Sequence, residues 1–157
     1  MKHTVSVLVE NKSGVLARVA GLFSGRGFNI DSLTVGETQD PSMSRMTIVV
    51  NGDDAVLEQV NKQLNKLIDV VKVQDFKTAS FVEAELVVMK LHSNSKTRSE
   101  IVQIADIFHG KILDVTDKNI IIEATGTTDK VDSLINLLRP YGIKEMARTG
   151  KVALAKG

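Results

Sequence analysis

Along the first third of the chain, the apolar positions change period in a way that outlines successive elements. Val5, Val7 and Val9 alternate with other residues over 4–10, the two-residue period of a strand with one buried face. From Val15 the spacing changes: Val15, Leu16, Val19, Leu22 and Phe23 fall on one helical stripe, closed by Gly25-Arg26-Gly27. Strands are predicted over 30–36 and 46–50, with Asp40-Pro41-Ser42 in the loop between them. Asn51-Gly52-Asp53-Asp54 reads as a turn and helix cap, and Leu57, Val60, Leu64 and Leu67 form the buried side of the helix that follows. Residues 70–76 supply a last strand. The order βαββαβ predicts two helices on one face of an antiparallel sheet, a ferredoxin-like sandwich.

The same order returns. A strand is predicted over 85–91, a helix over 98–108, a strand pair at 112–115 and 119–125, a helix over 129–138 and strand material over 143–154. Leu16, Val19, Ala20, Phe23 and Gly25 match Ile101, Ile104, Ala105, Phe108 and Gly110 at one constant offset. Two amphipathic helices share much of this spacing by necessity, so the repeated element order is the stronger sign of duplication. The fold class is therefore α+β, with two tandem βαββαβ units over 1–77 and 82–157 and a boundary near 77–82.

Chemistry enters at Asn11-Lys12-Ser13-Gly14-Val15-Leu16, where the first strand turns into the first helix. A helix start exposes backbone N–H groups that favour a carboxylate or phosphate. Gly14 has no side chain to keep a ligand away, and Asn11 and Asn29 offer neutral amides. These features suit a small-molecule pocket for a carboxylate, with an amino acid as the prime candidate. An ordinary helix start, with Ser13 or Asn11 as N-cap, is the competing reading. In the second unit Asn11 falls opposite Lys96, Gly14 opposite Ser99 and Asn29 opposite Asp114. Ser99 could cap, but the asparagines occur in the first unit alone, which favours a specific site there.

Composition removes other functions. A net charge of +1 gives no global attraction to nucleic acid or an anionic membrane. The chain has no cysteine, which excludes disulfides, thiolate nucleophiles and thiolate-ligated metals. His3, His92 and His109 lie in different elements and are expected at surfaces or edges rather than on a metal. No Gly-x-Ser-x-Gly, Gly-x-Gly-x-x-Gly or P-loop is present, so an independent enzyme is not expected. The central strands lack the aromatic residues on which an RNA-binding version of this fold stacks bases. No apolar run approaches the length of a membrane span, and a cytoplasmic protein is expected.

The run Ser6-Val7-Leu8-Val9-Glu10-Asn11-Lys12-Ser13-Gly14-Val15-Leu16, continued by Arg18-Val19, Gly21-Leu22-Phe23 and Arg26-Gly27-Phe28-Asn29-Ile30, resembles an ACT domain. Ser32-Leu33-Thr34-Val35, Asp40-Pro41 and Ser44-Arg45-Met46-Thr47-Ile48 narrow the resemblance to the regulatory small subunits of acetolactate synthase. Phe108-His109-Gly110-Lys111-Ile112 and Ala147-Arg148-Thr149-Gly150 extend it, more loosely, through the second half. The resemblance implies a non-catalytic protein that activates a large catalytic subunit and confers feedback inhibition by valine or a related branched-chain amino acid. Thiamine diphosphate, magnesium and FAD would belong to that large subunit. It further implies a homodimer of side-by-side ACT domains. Asn11, Gly14, Val15 and Leu16 would line the effector site from one protomer, and Asn29 and Ile30 from its neighbour. A free-standing ACT sensor acting on another protein is the alternative. An acyl-phosphate hydrolase on the same fold would want an arginine in the 11–14 loop, which has none.

Overall fold

The computed structural model describes residues 2–77 and 80–157. The first repeat runs β1 (Lys2–Glu10), α1 (Val15–Gly25), β2 (Asn29–Glu37), β3 (Met43–Asn51), α2 (Asp54–Asn65) and β4 (Val70–Asp75). The second runs β5 (Phe81–His92), α3 (Arg98–Ile107), β6 (Lys111–Val115), β7 (Asn119–Gly126), α4 (Thr128–Leu138), a 3₁₀ turn (Arg139–Tyr141) and β8 (Ile143–Ala155). The chain divides into two compact units, one reaching Val82 and including Val152–Gly157, the other spanning Glu83–Lys151.

In the first unit the strand order is β2-β3-β1-β4, with β1 antiparallel to both β3 and β4. Because side chains alternate across a strand, Val5, Val7 and Val9 share one face and are all buried. They meet Met46, Ile48 and Val50 of β3, Val15, Val19 and Phe23 of α1, and Leu57, Val60 and Leu64 of α2 in one core. Leu16 departs from the expected stripe. It lies a step around the helix from Val15 and remains 42% exposed. His3 also departs from expectation: β1 alternation sets it on the Val5 face, where it is buried with Nε2 3.1 Å from the Gly52 carbonyl oxygen.

The predicted turn before α2 forms as read. Asp53 is the N-cap, and its carboxylate accepts the Val56 N–H at 2.9 Å, satisfying one of the helix's free donors. The Phe28 ring packs edge-on against Phe23, with centroids 6.3 Å apart, and lies directly over Gly52.

The second unit has the equivalent order β6-β7-β5-β8 and a core built from Val87, Met89 and Leu91, Ile120 and Ile122, Ile101 of α3 and Leu134 of α4. Its buried charge, Glu85, is paired: Arg148 forms an ion pair with one carboxylate oxygen, and the Thr128 hydroxyl donates to the other at 3.3 Å. Arg148 also reaches Asp132 at 2.9 Å, so the guanidinium bridges two carboxylates. Past the end of α3, His109 takes a left-handed backbone with φ 58°, the position that Gly27 fills after α1 with φ 76°.

Gly52 is sterically fixed. A Cβ there would collide with the Phe28 ring, which is held by Phe23 and cannot swing away cheaply. Gly52→Ala is expected to cost about 1–3 kcal/mol, as overpacking does in a close-packed core. Urea unfolding of the full chain measures this, and unchanged stability would contradict the packing described.

Candidate functional site

Four residues, 11–14, carry the chain from β1 into α1. Reversing direction so quickly puts Gly14 in the left-handed region, with φ 83° and ψ −8°. Side chains with a Cβ are disfavoured there, which accounts for the glycine on backbone grounds. Gly14 is itself the N-cap, and no side chain caps the helix. Neither Ser13 nor Asn11 therefore fills the capping role of the ordinary-helix reading.

The Asn11 amide is used elsewhere. Its Nδ2 donates to the Pro41 carbonyl at 3.0 Å and to Glu37 Oε1 at 3.3 Å, while its backbone N–H donates to the Ser42 carbonyl at 2.7 Å. Asn11 thus straps the turn to the end of β2 and the loop beyond it. In that loop, the Ser42 hydroxyl and backbone N–H both donate to Asp40 and hold its carboxyl below the usual carboxylate range.

The helix start is electrostatically open. Val15 N–H reaches the Lys12 carbonyl at 3.4 Å and Arg18 N–H returns to the Gly14 carbonyl at 3.1 Å, which leaves Leu16 and Ala17 as the free donors of the first turn. No acidic side chain occupies that turn to meet the positive end of the helix dipole. Lys12 is engaged by Glu10 at 2.9 Å, and the hydrogen bond and the opposite charge raise its pKa. Val15 points into the core, while half-exposed Leu16 faces outward beside the free N–H groups.

Asn11, Gly14, Val15 and Leu16 are therefore gathered at one end of the sheet. Asn29 and Ile30 are not with them. Pairing of Asn29 with Asn51, and of Lys2 with that same residue, sets the start of β2 beside the start of β1. Glu37, at the other end of β2, pairs with Ser44 near the turn. Nine extended residues separate the two groups by roughly 25 Å. Within one chain Asn29 is exposed and donates to its neighbour Asp31 at 3.1 Å.

Two residues at the turn were not among the expected site residues. Glu37 is joined to it only through tertiary structure. Arg18 had a signal: it lies one helical turn after Gly14, and helix side chains lean back towards the N-terminus. Its guanidinium pairs with Asp69 and also faces the Gly14 turn. Among the described residues, no group of three or more His, Cys, Asp or Glu could hold a metal ion, and no helix is long and apolar enough to cross a membrane.

Comparison with known proteins adds independent observations. Residues 5–72 match the family described as the AHAS small subunit-like ACT domain, and residues 84–157 match that described as the small subunit of acetolactate synthase. A protein from Archaeoglobus fulgidus described as a probable acetolactate synthase small subunit is 60% identical over 157 residues, covering 100% of this chain and 98% of its own. This chain belongs to the acetolactate synthase small-subunit family. The acetolactate synthase small subunit of Mycolicibacterium smegmatis is 50% identical over 155 residues, covering 99% of this chain and 91% of that one. The crystal structure of the acetolactate synthase small subunit from Thermotoga maritima has a TM-score of 0.90 at 46% identity, over 100% of this chain and 98% of that one. The ACT-domain match contains the whole β1–α1 turn and all of β2, the elements that carry the candidate effector residues.

The backbone of Gly14 makes a prediction free of any ligand. Gly14→Ala should lose about 1–2 kcal/mol through left-handed strain. Gly14→Asn should lose less, because asparagine tolerates that region best among residues with a Cβ. Chemical denaturation of both full-length variants tests the order, and an unaffected Gly14→Ala would contradict the φ of 83°.

Proposed function

We propose that this chain is the non-catalytic regulatory subunit of an acetolactate synthase. In this reading it activates the large catalytic subunit, which carries the thiamine diphosphate, magnesium and FAD. It also confers feedback inhibition by valine, or a related branched-chain amino acid, in branched-chain amino acid biosynthesis. The observation that carries the reading is the uncapped, acid-free start of α1 at Gly14, tied by Asn11 to the edge of the sheet. The carboxylate of an amino acid would take the Leu16 and Ala17 N–H groups, with a dipole contribution of about 0.3–1 kcal/mol.

The separation of Asn29 from the turn supports a homodimer. β2 is an edge strand, with a row of backbone groups open to another strand. If two copies pair their β2 strands antiparallel about a two-fold axis, the start of one β2 meets the end of the other. Asn29 and Ile30 of one copy would then approach Glu37 of its partner, and through it the partner's Asn11 and Gly14. The Asn29 amide and nearby carbonyls would receive the effector ammonium, where a charged hydrogen bond contributes about 1.5–3 kcal/mol. Leu16 and Ile30 would bracket a branched side chain. One methylene is worth only about 1–3 kcal/mol in such a pocket, so neighbouring branched amino acids would compete.

The test is acetolactate formation by the reconstituted complex across a valine titration. The isolated chain should form none, and adding it should raise the turnover of the large subunit. Gly14→Asp should preserve activation but require at least about ten-fold more valine for inhibition, because the new carboxylate occupies the effector's position. Gly14→Asn, of the same size and without the charge, should be impaired less. An undiminished valine response in folded Gly14→Asp protein would return the turn to a plain helix start.

A further inference from the structure

We propose that Arg18 is the residue that selects a carboxylate at the effector turn, with Asp69 as the positioning residue that aims it. This deepens the effector reading above and rests on it. Arg18 lies on α1, one turn beyond Gly14, and its side chain folds back over the start of the helix. One terminal nitrogen of the guanidinium pairs with Asp69. The other, Nη1, stands 3.3 Å from the point where a Cβ on Gly14 would lie. The side chain of Asp69 is 12% exposed and that of Arg18 is 50% exposed. A buried carboxylate therefore fixes one edge of the fork while the other stays accessible above the turn.

An arginine presents five N–H donors in a rigid plane, and Asp69 does not exhaust them. The Nη1 donors stand beside the Gly14 turn, two residues before the free Leu16 N–H, where they would meet a carboxylate held by the Leu16 and Ala17 N–H groups. The other nearby cation, Lys12, is already engaged by Glu10. The same geometry gives Gly14 a second purpose. A Cβ there would sit tightly against Nη1, so the glycine leaves the guanidinium room beside the free N–H groups. The anchoring carboxylate comes from the turn between α2 and β4, 51 residues away in sequence, which explains why no local motif shows the pairing.

The test compares valine with valinamide, its neutral counterpart at the carboxylate end, by calorimetric binding to the full chain and by inhibition of the reconstituted complex. The wild type should favour valine strongly. Arg18→Gln should weaken valine binding by on the order of ten-fold or more and leave valinamide nearly unchanged, so that the preference collapses. Arg18→Lys, which keeps the charge but not the fork, should retain part of the preference. Asp69→Asn, which keeps Arg18, should retain more of it than Arg18→Gln does. A purely structural ion pair predicts something else: Arg18→Gln and Asp69→Asn would weaken both ligands alike and leave their ratio intact. That result, or a full preference in folded Arg18→Gln protein, would overturn the assignment. A wild-type chain that binds neither ligand would overturn the effector reading and this inference together.

Discussion

The first unit depends on how its central strand leaves the sheet. β1 is flanked by β3 and β4, and its buried valines lie at the middle of the core. The chain must then lay α1 back across the same face within four residues, and a left-handed Gly14 makes the reversal possible. The consequence is a helix that begins without a capping side chain. Its first-turn N–H groups stay free, with no acid in that turn to answer them. A backbone constraint of folding thus creates the open donors that a carboxylate ligand needs.

The second unit solves the same problem differently. Before α3, the Asn94 side-chain oxygen accepts the Lys96 N–H at 2.8 Å and the Thr97 N–H at 3.0 Å, closing the loop on itself. Ser99, a candidate cap by alignment with Gly14, lies inside α3, which already begins at Arg98. Thr97, the N-cap of α3, likewise makes no side-chain capping bond, but Glu100 stands in the first turn of α3 where α1 has no acid. That acid-free first turn behind a left-handed Gly14 is the feature on which the proposed carboxylate site in the first unit rests, and Asn11 straps it to β2.

The fold was legible because its elements carry clean periods. Alternating valines over 4–10, the helical stripes, and the Asp53 turn each point to one structure, and both βαββαβ orders follow. Errors came where tertiary contact decides. His3 is buried because β1 begins under the Gly52 turn, and a pattern of apolar residues does not register a histidine on the core face. Leu16 sits on the border of its stripe and stays half exposed. The candidate site was legible as a set of residue types around a tight turn, but the partners of Asn11 and Arg18 lie 26 to 51 positions away. The resemblance already divided the residue list between two protomers, and the strand register adds the distance that keeps Asn29 from the Gly14 turn within one chain.

The central claim is an effector site completed by two copies of the chain. Its most direct measurement is complementation between two defective variants. Gly14→Asp spoils one half-site, and Asn29→Arg sets a cation where the other half would hold the effector ammonium. Each variant alone should lack high-affinity valine sites in calorimetry. When the two are co-expressed, mixed dimers should regain one intact site each, or roughly a quarter of the wild-type number overall if pairing is random. Recovery of valine binding and inhibition in the mixture is the predicted result. Two variants that remain as insensitive together as they are apart, while still forming mixed dimers, would contradict a shared site.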